Sequence, residues 1–320
     1  MVSGQLPLWA EDPAAEDPDY LTKQLITYIG NKRALLKHIE AAVVKVKQRL
    51  NKDRISFFDV FSGSGVVSRL LKAHSSLIIS NDLEDYAAVT SRCYLANKSE
   101  VDVAALEELV AGLNAQAERS NAPMGFIEDM YAPKDEANIT ADDRVFYTRS
   151  NARRLDIYRQ LIQTAPENLR HFLLAPLISK ASVHANTAGV FKGFYKNKVT
   201  KIGQFGGSGS DALLRIRGEI RLEVPVLSQF ECPVEVYQTD AHAAAKTTQP
   251  VDLAYLDPPY NQHPYGSNYF MLNLLVRYRR PEHVSRVSGI PDDWNRSGYN
   301  VKAESLPLLH ALVTDTKARY

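Results

Sequence analysis

The chain has 320 residues, 45% of them hydrophobic, a formal net charge of +1, two cysteines and eight scattered histidines. That length and apolar content supply one large core plus a subdomain, while cysteines and histidines without metal-type spacing point away from a metal site and suit a reducing compartment, so a cytoplasmic location is expected. No apolar run is long enough to span a bilayer and no signal-peptide pattern opens the chain, and with so little net charge any affinity for nucleic acid must come from uneven distribution.

In chain order, residues 1–20 are acidic and proline-bearing and read as a disordered lead-in. Tyr28-Ile29-Gly30-Asn31-Lys32-Arg33 then precedes a helix expected over Ala34 to Leu50. The block offers an aromatic ring, a close-approach glycine and a lysine able to meet a ligand carboxylate. Taken alone, it reads as a helix start with solvated charges. Ile55 to Val60 is a short, β-rich apolar run, followed by Phe61-Ser62-Gly63-Ser64-Gly65 and then Val66 to Leu71 at helical spacing. Glycines in such a turn let the backbone approach a ligand closely. The three-glycine dinucleotide fingerprint is absent, which argues against a nicotinamide cofactor and toward a smaller adenosyl ligand. A plain strand-to-helix connection is the other reading.

Ser76 to Ser80 reads as a buried strand ending in Asn81-Asp82, and Asp82 follows Asp59 at about the spacing at which doubly wound folds place a ribose-binding carboxylate. A solvated strand-end aspartate would look the same. The stretch from Asp82 to Asp240 carries no catalytic motif and is too long for one loop. It divides the chain into a catalytic part, 21–100 with 230–320, and an insert over 101–229 with helices at Val103 to Ala117, Ala152 to Thr164 and Leu169 to Val183. Late in the insert Lys192, Lys196, Lys198 and Lys201 alternate with aromatics, and Arg215 and Arg217 follow a glycine-rich segment. Cations of this kind suit DNA phosphates, or line a solvated loop.

Val234 to Tyr237 is a further strand, ending near Asp240. Val251 to Leu256 is another, and it runs into Asp257-Pro258-Pro259-Tyr260. This puts a carboxylate, a rigid carbonyl and a ring at a strand's carboxyl end, where ligands bind in open α/β sheets. Methyl transfer to an exocyclic base amine needs such a set, because the amine lone pair is delocalised. Asp257 and the Pro258 carbonyl can accept its two N–H groups, Tyr260 can stack on the base, and Pro258-Pro259 fix the acceptors beforehand. A proline-stiffened strand exit is the structural alternative.

These motifs in this order, with the continuation Asn261 to Tyr269, resemble the alpha-group DNA adenine-N6 methyltransferases, closest to Dam-like type II restriction-modification methylases. The resemblance covers roughly residues 22–95 and 230–280. It implies an α/β, Rossmann-like S-adenosylmethionine-dependent methyltransferase sheet with an inserted, mainly helical target-recognition domain. It implies S-adenosylmethionine as cofactor, with Tyr28, Gly30 and Lys32 toward its methionine end and Phe61, Gly63 and Gly65 along its backbone. Asp82 would then lie at the ribose and Asp240 near the adenine, with Asp59 and Asp257 also bordering it. Double-stranded DNA is the implied substrate, its adenine flipped out so that N6 attacks the methyl group in line, and a cognate restriction endonuclease is the implied partner. The family sheet continues after the catalytic motif. Here Ser267 to Arg280 and Val301 to Lys317 read as helices around a loop at 281–300, so the carboxy-terminal strands are expected to be missing, supplied by a complementing polypeptide or lost in a weakly active remnant. A methyltransferase acting on cytosine N4 or on RNA is the nearest rival.

Overall fold

The structure, a computed structural model, describes residues 16–120, 122–207, 210–259 and 262–320. Four parallel strands form one sheet in the order β3-β2-β1-β4: β1 Ile55–Asp59, β2 Ser75–Asp82, β3 Val234–Gln238 and β4 Leu253–Tyr255. Phe58 of β1 is registered against Ile79 on one side and Ala254 on the other. Successive residues of a strand face opposite sides of the sheet. Ile55, Phe57 and Ile78 accordingly enter one core, and Phe58, Val60 and Ile79 enter another. Helices cover both faces, which is why these strands read as continuous apolar runs.

The helices are α1 Pro18–Thr22, α2 Leu36–Leu50, α3 Val66–Leu71, α4 Asp85–Tyr94, α5 Val103–Arg119, α6 Phe126–Tyr131, α7 Arg149–Thr164, α8 Arg170–Val183, α9 Ser210–Arg217, α10 Ala241–Thr247, α11 Tyr265–Asn268, α12 Phe270–Arg277 and α13 Lys302–Asp315. Among the described residues none is long and apolar enough to cross a membrane. The smaller core lies under α10 and α13 through Ala241, Ala244, Ala245 and Leu312. On the other face α8, from the 101–229 stretch, packs against α4. Arg159 of α7 reaches the carbonyl of Leu275 in α12, so residues 101–229 share a core with the sheet.

One expectation needs correction. Of the supposed disordered lead-in, residues 16–20 are folded in place. Asp17 caps α1, Tyr20 is fully buried with its hydroxyl donating to the Tyr94 carbonyl at 2.6 Å, and Glu16 accepts from Gln229 N at 2.8 Å. The reason is Arg69, whose buried guanidinium lies between the rings of Tyr20 and Tyr94 at 4.7 and 4.3 Å and needs that aromatic cover. Residues 1–15 lie outside the described residues. At the carboxyl end no strand follows β4 among the described residues, as expected, but α13 stops at Asp315 and the chain returns to the sheet edge. Val251 N donates to Lys317 O at 2.9 Å and Ala254 N to Tyr320 O at 3.0 Å, so a short bridging segment lies beside β4. Edge backbone groups of β4 otherwise lack partners, and pairing satisfies them.

Strands β1, β2 and β3 are added in one direction and β4 on the other side of β1. The order therefore reverses between β1 and β4, and a crevice is expected beyond the carboxyl ends of those two strands.

Candidate active site

The crevice is there. A cleft of about 900 Å3, counted with its open mouth, is lined from β1, β2, β3 and β4 ends alike. Asn81 holds its floor together, donating to the carbonyls of Val60 and Thr239 at 3.1 and 3.2 Å and accepting from Thr239 N. The turn after β1 requires its glycines, since Gly63 and Gly65 have φ of 51° and 74°. Gly63 N donates to Asp82 Oδ2 at 2.7 Å and Glu84 N to Asp82 Oδ1 at 3.0 Å. Asp82 thereby fixes the turn. Burial holds its carboxyl above the usual range against those bonds.

Asp59 is the most enclosed acid lining the cleft. Its Oδ2 accepts from Ser68 Oγ at 2.7 Å, while its Oδ1 is buried without a hydrogen-bond partner among the described residues. Burial, and then the neighbouring Asp82 and Asp257 carboxylates, push its pKa up to about 7 against the Ser68 bond. Glu84, also buried and lining the cleft, is pushed up to about 7 chiefly by burial, against bonds from Asn273 and Asn295.

Tyr28 packs with Tyr265 and Tyr269 in a group of three near-parallel rings, its centroid 4.9 and 4.8 Å from theirs, and lies against Gly63. The segments around residues 28 and 265 are tied further by Ile29 N donating to Tyr269 Oη at 2.7 Å. At the exit of β4, Asp257 Oδ2 is 2.6 Å from Lys32 Nζ, which also donates to the Gly30 carbonyl at 2.9 Å. Asp257 and Pro259 line the same cleft as Gly63 and Asp82, so the motif after β4 and the glycine turn share one site.

A family model for D12 class N6 adenine-specific DNA methyltransferases matches residues 28–305. The chain belongs to that family. This methyltransferase is similar to the type II methyltransferase M.NlaIII of Neisseria lactamica, with 29% identity over 301 residues, 92% of this chain and 81% of the relative. It is similar also to the type II methyltransferase M.CviAII of Paramecium bursaria Chlorella virus 1, at 28% over 303 residues with the same shares. The modification methylase StsI of Streptococcus sanguinis is 25% identical over 309 residues, 92% of this chain and 42% of its own length.

Of the residues expected at the methyltransferase's cofactor site, Tyr28, Gly30, Lys32, Asp59, Phe61, Gly63, Asp82, Asp240 and Asp257 line the cleft. Gly65 instead shapes the turn and caps α3. Asp240 caps α10, accepting from His242 N at 2.9 Å. Pro258 is half-buried between Asp257 and Pro259, and Tyr260 lies outside the described residues. Lys192, Lys196, Lys198, Lys201 and Arg217 are exposed. The first four flank or occupy a hairpin in which Lys196 pairs with Gly203 and Lys196 Nζ sits 5.0 Å from the Phe194 ring. Arg215 is a correction. Its guanidinium donates to the carbonyls of Val183, Ala185 and Thr187, so it braces the end of α8 in place of facing a phosphate.

Sequence reading missed the part of the wall that comes from 281–300. Tyr299, nearly buried, stands edge-on to Phe61 at 5.2 Å, and Asn295 Nδ2 donates to Leu83 O at 3.1 Å. Nothing periodic marks that loop. Its only signal was in retrospect Gly266, whose missing side chain leaves room for the Asn295 backbone.

Proposed function

We propose that the chain transfers a methyl group from S-adenosylmethionine to N6 of an adenine flipped out of double-stranded DNA, as the modification half of a type II restriction-modification pair with a cognate endonuclease. What supports the reading is one cleft, at the reversal of strand order, that is lined both by the Gly63 turn with Asp82 and by Asp257 with Pro259. The names of the relatives support the restriction-modification role.

The cleft's donor set fits this cofactor. The buried Asp59 Oδ1, without a hydrogen-bond partner among the described residues, suits a positive group, and the Asp82 carboxylate at the end of β2 suits ribose hydroxyls. Bound there, S-adenosylmethionine supplies an electrophilic methyl group on a sulfonium. Tyr28, Gly30 and Lys32 would border its methionine part, Phe61 and Gly63 its middle, and Asp240 its adenine. Asp257 and the Pro258 carbonyl accept the two N–H groups of N6 and draw its lone pair out of conjugation, while Tyr260 stacks on the base. The surplus proton of the methylated amine is strongly acidic and leaves through Asp257 or water. Lys192, Lys196, Lys198, Lys201 and Arg217 would meet DNA phosphates, and residues 101–229 would read the target sequence.

The test is to incubate the chain with labelled S-adenosylmethionine and mixed-sequence duplex DNA, then digest to nucleosides. Label in N6-methyladenine within one sequence context is expected. Label in N4-methylcytosine, in RNA only, or nowhere would overturn the reading.

A further inference from the structure

A charge asymmetry lies outside the cleft. The chain as a whole is nearly neutral, with 38 lysines and arginines against 37 aspartates and glutamates. The exposed half of α2, by contrast, carries Lys37, His38, Lys45 and Arg49, with exposed Arg33 just ahead of the helix. The opposite half, Ile39, Val43, Val46 and Leu50, is packed into the core, so the cations are held on a fixed rod and not on a mobile loop. The only acid in α2, Glu40, is half-buried and accepts from His74 Nε2 at 3.1 Å. Arg33, Lys37, Lys45 and Arg49 have no ion pair among the described residues.

Position adds to composition. Asn31 and Lys32 line the cleft, so the row of cations starts at its mouth. At 1.5 Å per residue, Lys37 to Arg49 covers about 18 Å, roughly five base-pair steps of a duplex at 3.4 Å each.

We infer that α2 is a second DNA-binding surface, on which Arg33, Lys37, Lys45 and Arg49 hold the phosphate backbone of duplex flanking the methylated adenine. The inference rests on the proposed function for its ligand. Point charges on flexible stems carry no base information, so this surface contributes affinity and salt dependence and leaves sequence choice to the insert.

The test compares the parent with a Lys37→Gln, Lys45→Gln, Arg49→Gln variant, all three positions being exposed and glutamine a good helix former. Binding to a mixed-sequence duplex several turns long is titrated over a range of salt. Loss of two to three phosphate contacts should flatten the slope of log affinity against log salt by about 2. The triple exchange Lys37→Arg, Lys45→Arg, Arg49→Lys should restore the parental slope, and all forms should melt alike. A neutralised variant with the parent's slope and affinity overturns this inference while leaving the methyltransferase reading intact. A parent that binds no duplex at all overturns both.

Discussion

Lys32 Nζ stands 2.6 Å from Asp257 Oδ2, joining the block before α2 to the motif after β4 in one ion pair at the cleft. The two half-buried groups hold each other in place: the lysine neutralises the carboxylate, and the Gly30 carbonyl anchors the lysine. Two predictions attach to this pair.

On the proposed mechanism, Asp257→Ala removes a preorganised acceptor for the amine. Methyl transfer in a single turnover is expected to fall by at least about 100-fold, with cofactor binding by calorimetry partly retained. Parental turnover in the variant would refute the role.

Lys32→Met keeps the apolar stem and deletes the charge. A charge-assisted pair contributes roughly 1.5–3 kcal/mol, so kcat/KM for transfer should drop by about tenfold or more, whereas Lys32→Arg retains part of it. Steady-state kinetics on both variants decide the point.

Gly63→Ala meets two obstacles. Its φ of 51° is unfavourable for a side chain, and an added Cβ would lie 3.0 Å from Tyr28 Cε1, in a ring packed against Tyr265 and Tyr269. Strain of about 1–3 kcal/mol is expected, read as a lowered Tm together with weaker cofactor binding. Unchanged values for both would show that the turn tolerates a side chain.

Asp59 gives a pH signature. Burial raises its folded pKa to about 7, above the ordinary unfolded value near 4. The folded protein therefore holds this proton more tightly, and the contribution of Asp59 to stability falls as pH rises from about 4 to about 7. Asp59→Asn removes that term. The variant's stability relative to the parent should climb across the same window, by an amount of the order of a few kcal/mol, in urea titrations at stepped pH. A flat difference would show that the carboxyl is charged at no cost in the fold.

Four strands, the glycine turn and the Asp257 motif were legible in the sequence, because each is written locally. Buried parallel strands are continuous apolar runs, and positive φ at Gly63 and Gly65 demands glycine. What sequence order could not give was which chain ends meet. The placement of β4 beside β1, the Lys32 to Asp257 pair, Tyr28 against Tyr265 and Tyr269, and Tyr299 against Phe61 are all contacts between distant segments. Arg215 and Tyr20 make the same point in reverse. An arginine in a basic stretch and a tyrosine after an acidic one carry no local mark of burial, and only the carbonyls ending α8 and the guanidinium of Arg69 decided their surroundings. Local chemistry thus set the elements and the reactive groups. Packing of the two sheet faces, which trades long-range contacts for chain entropy, decided which of those groups share a cleft.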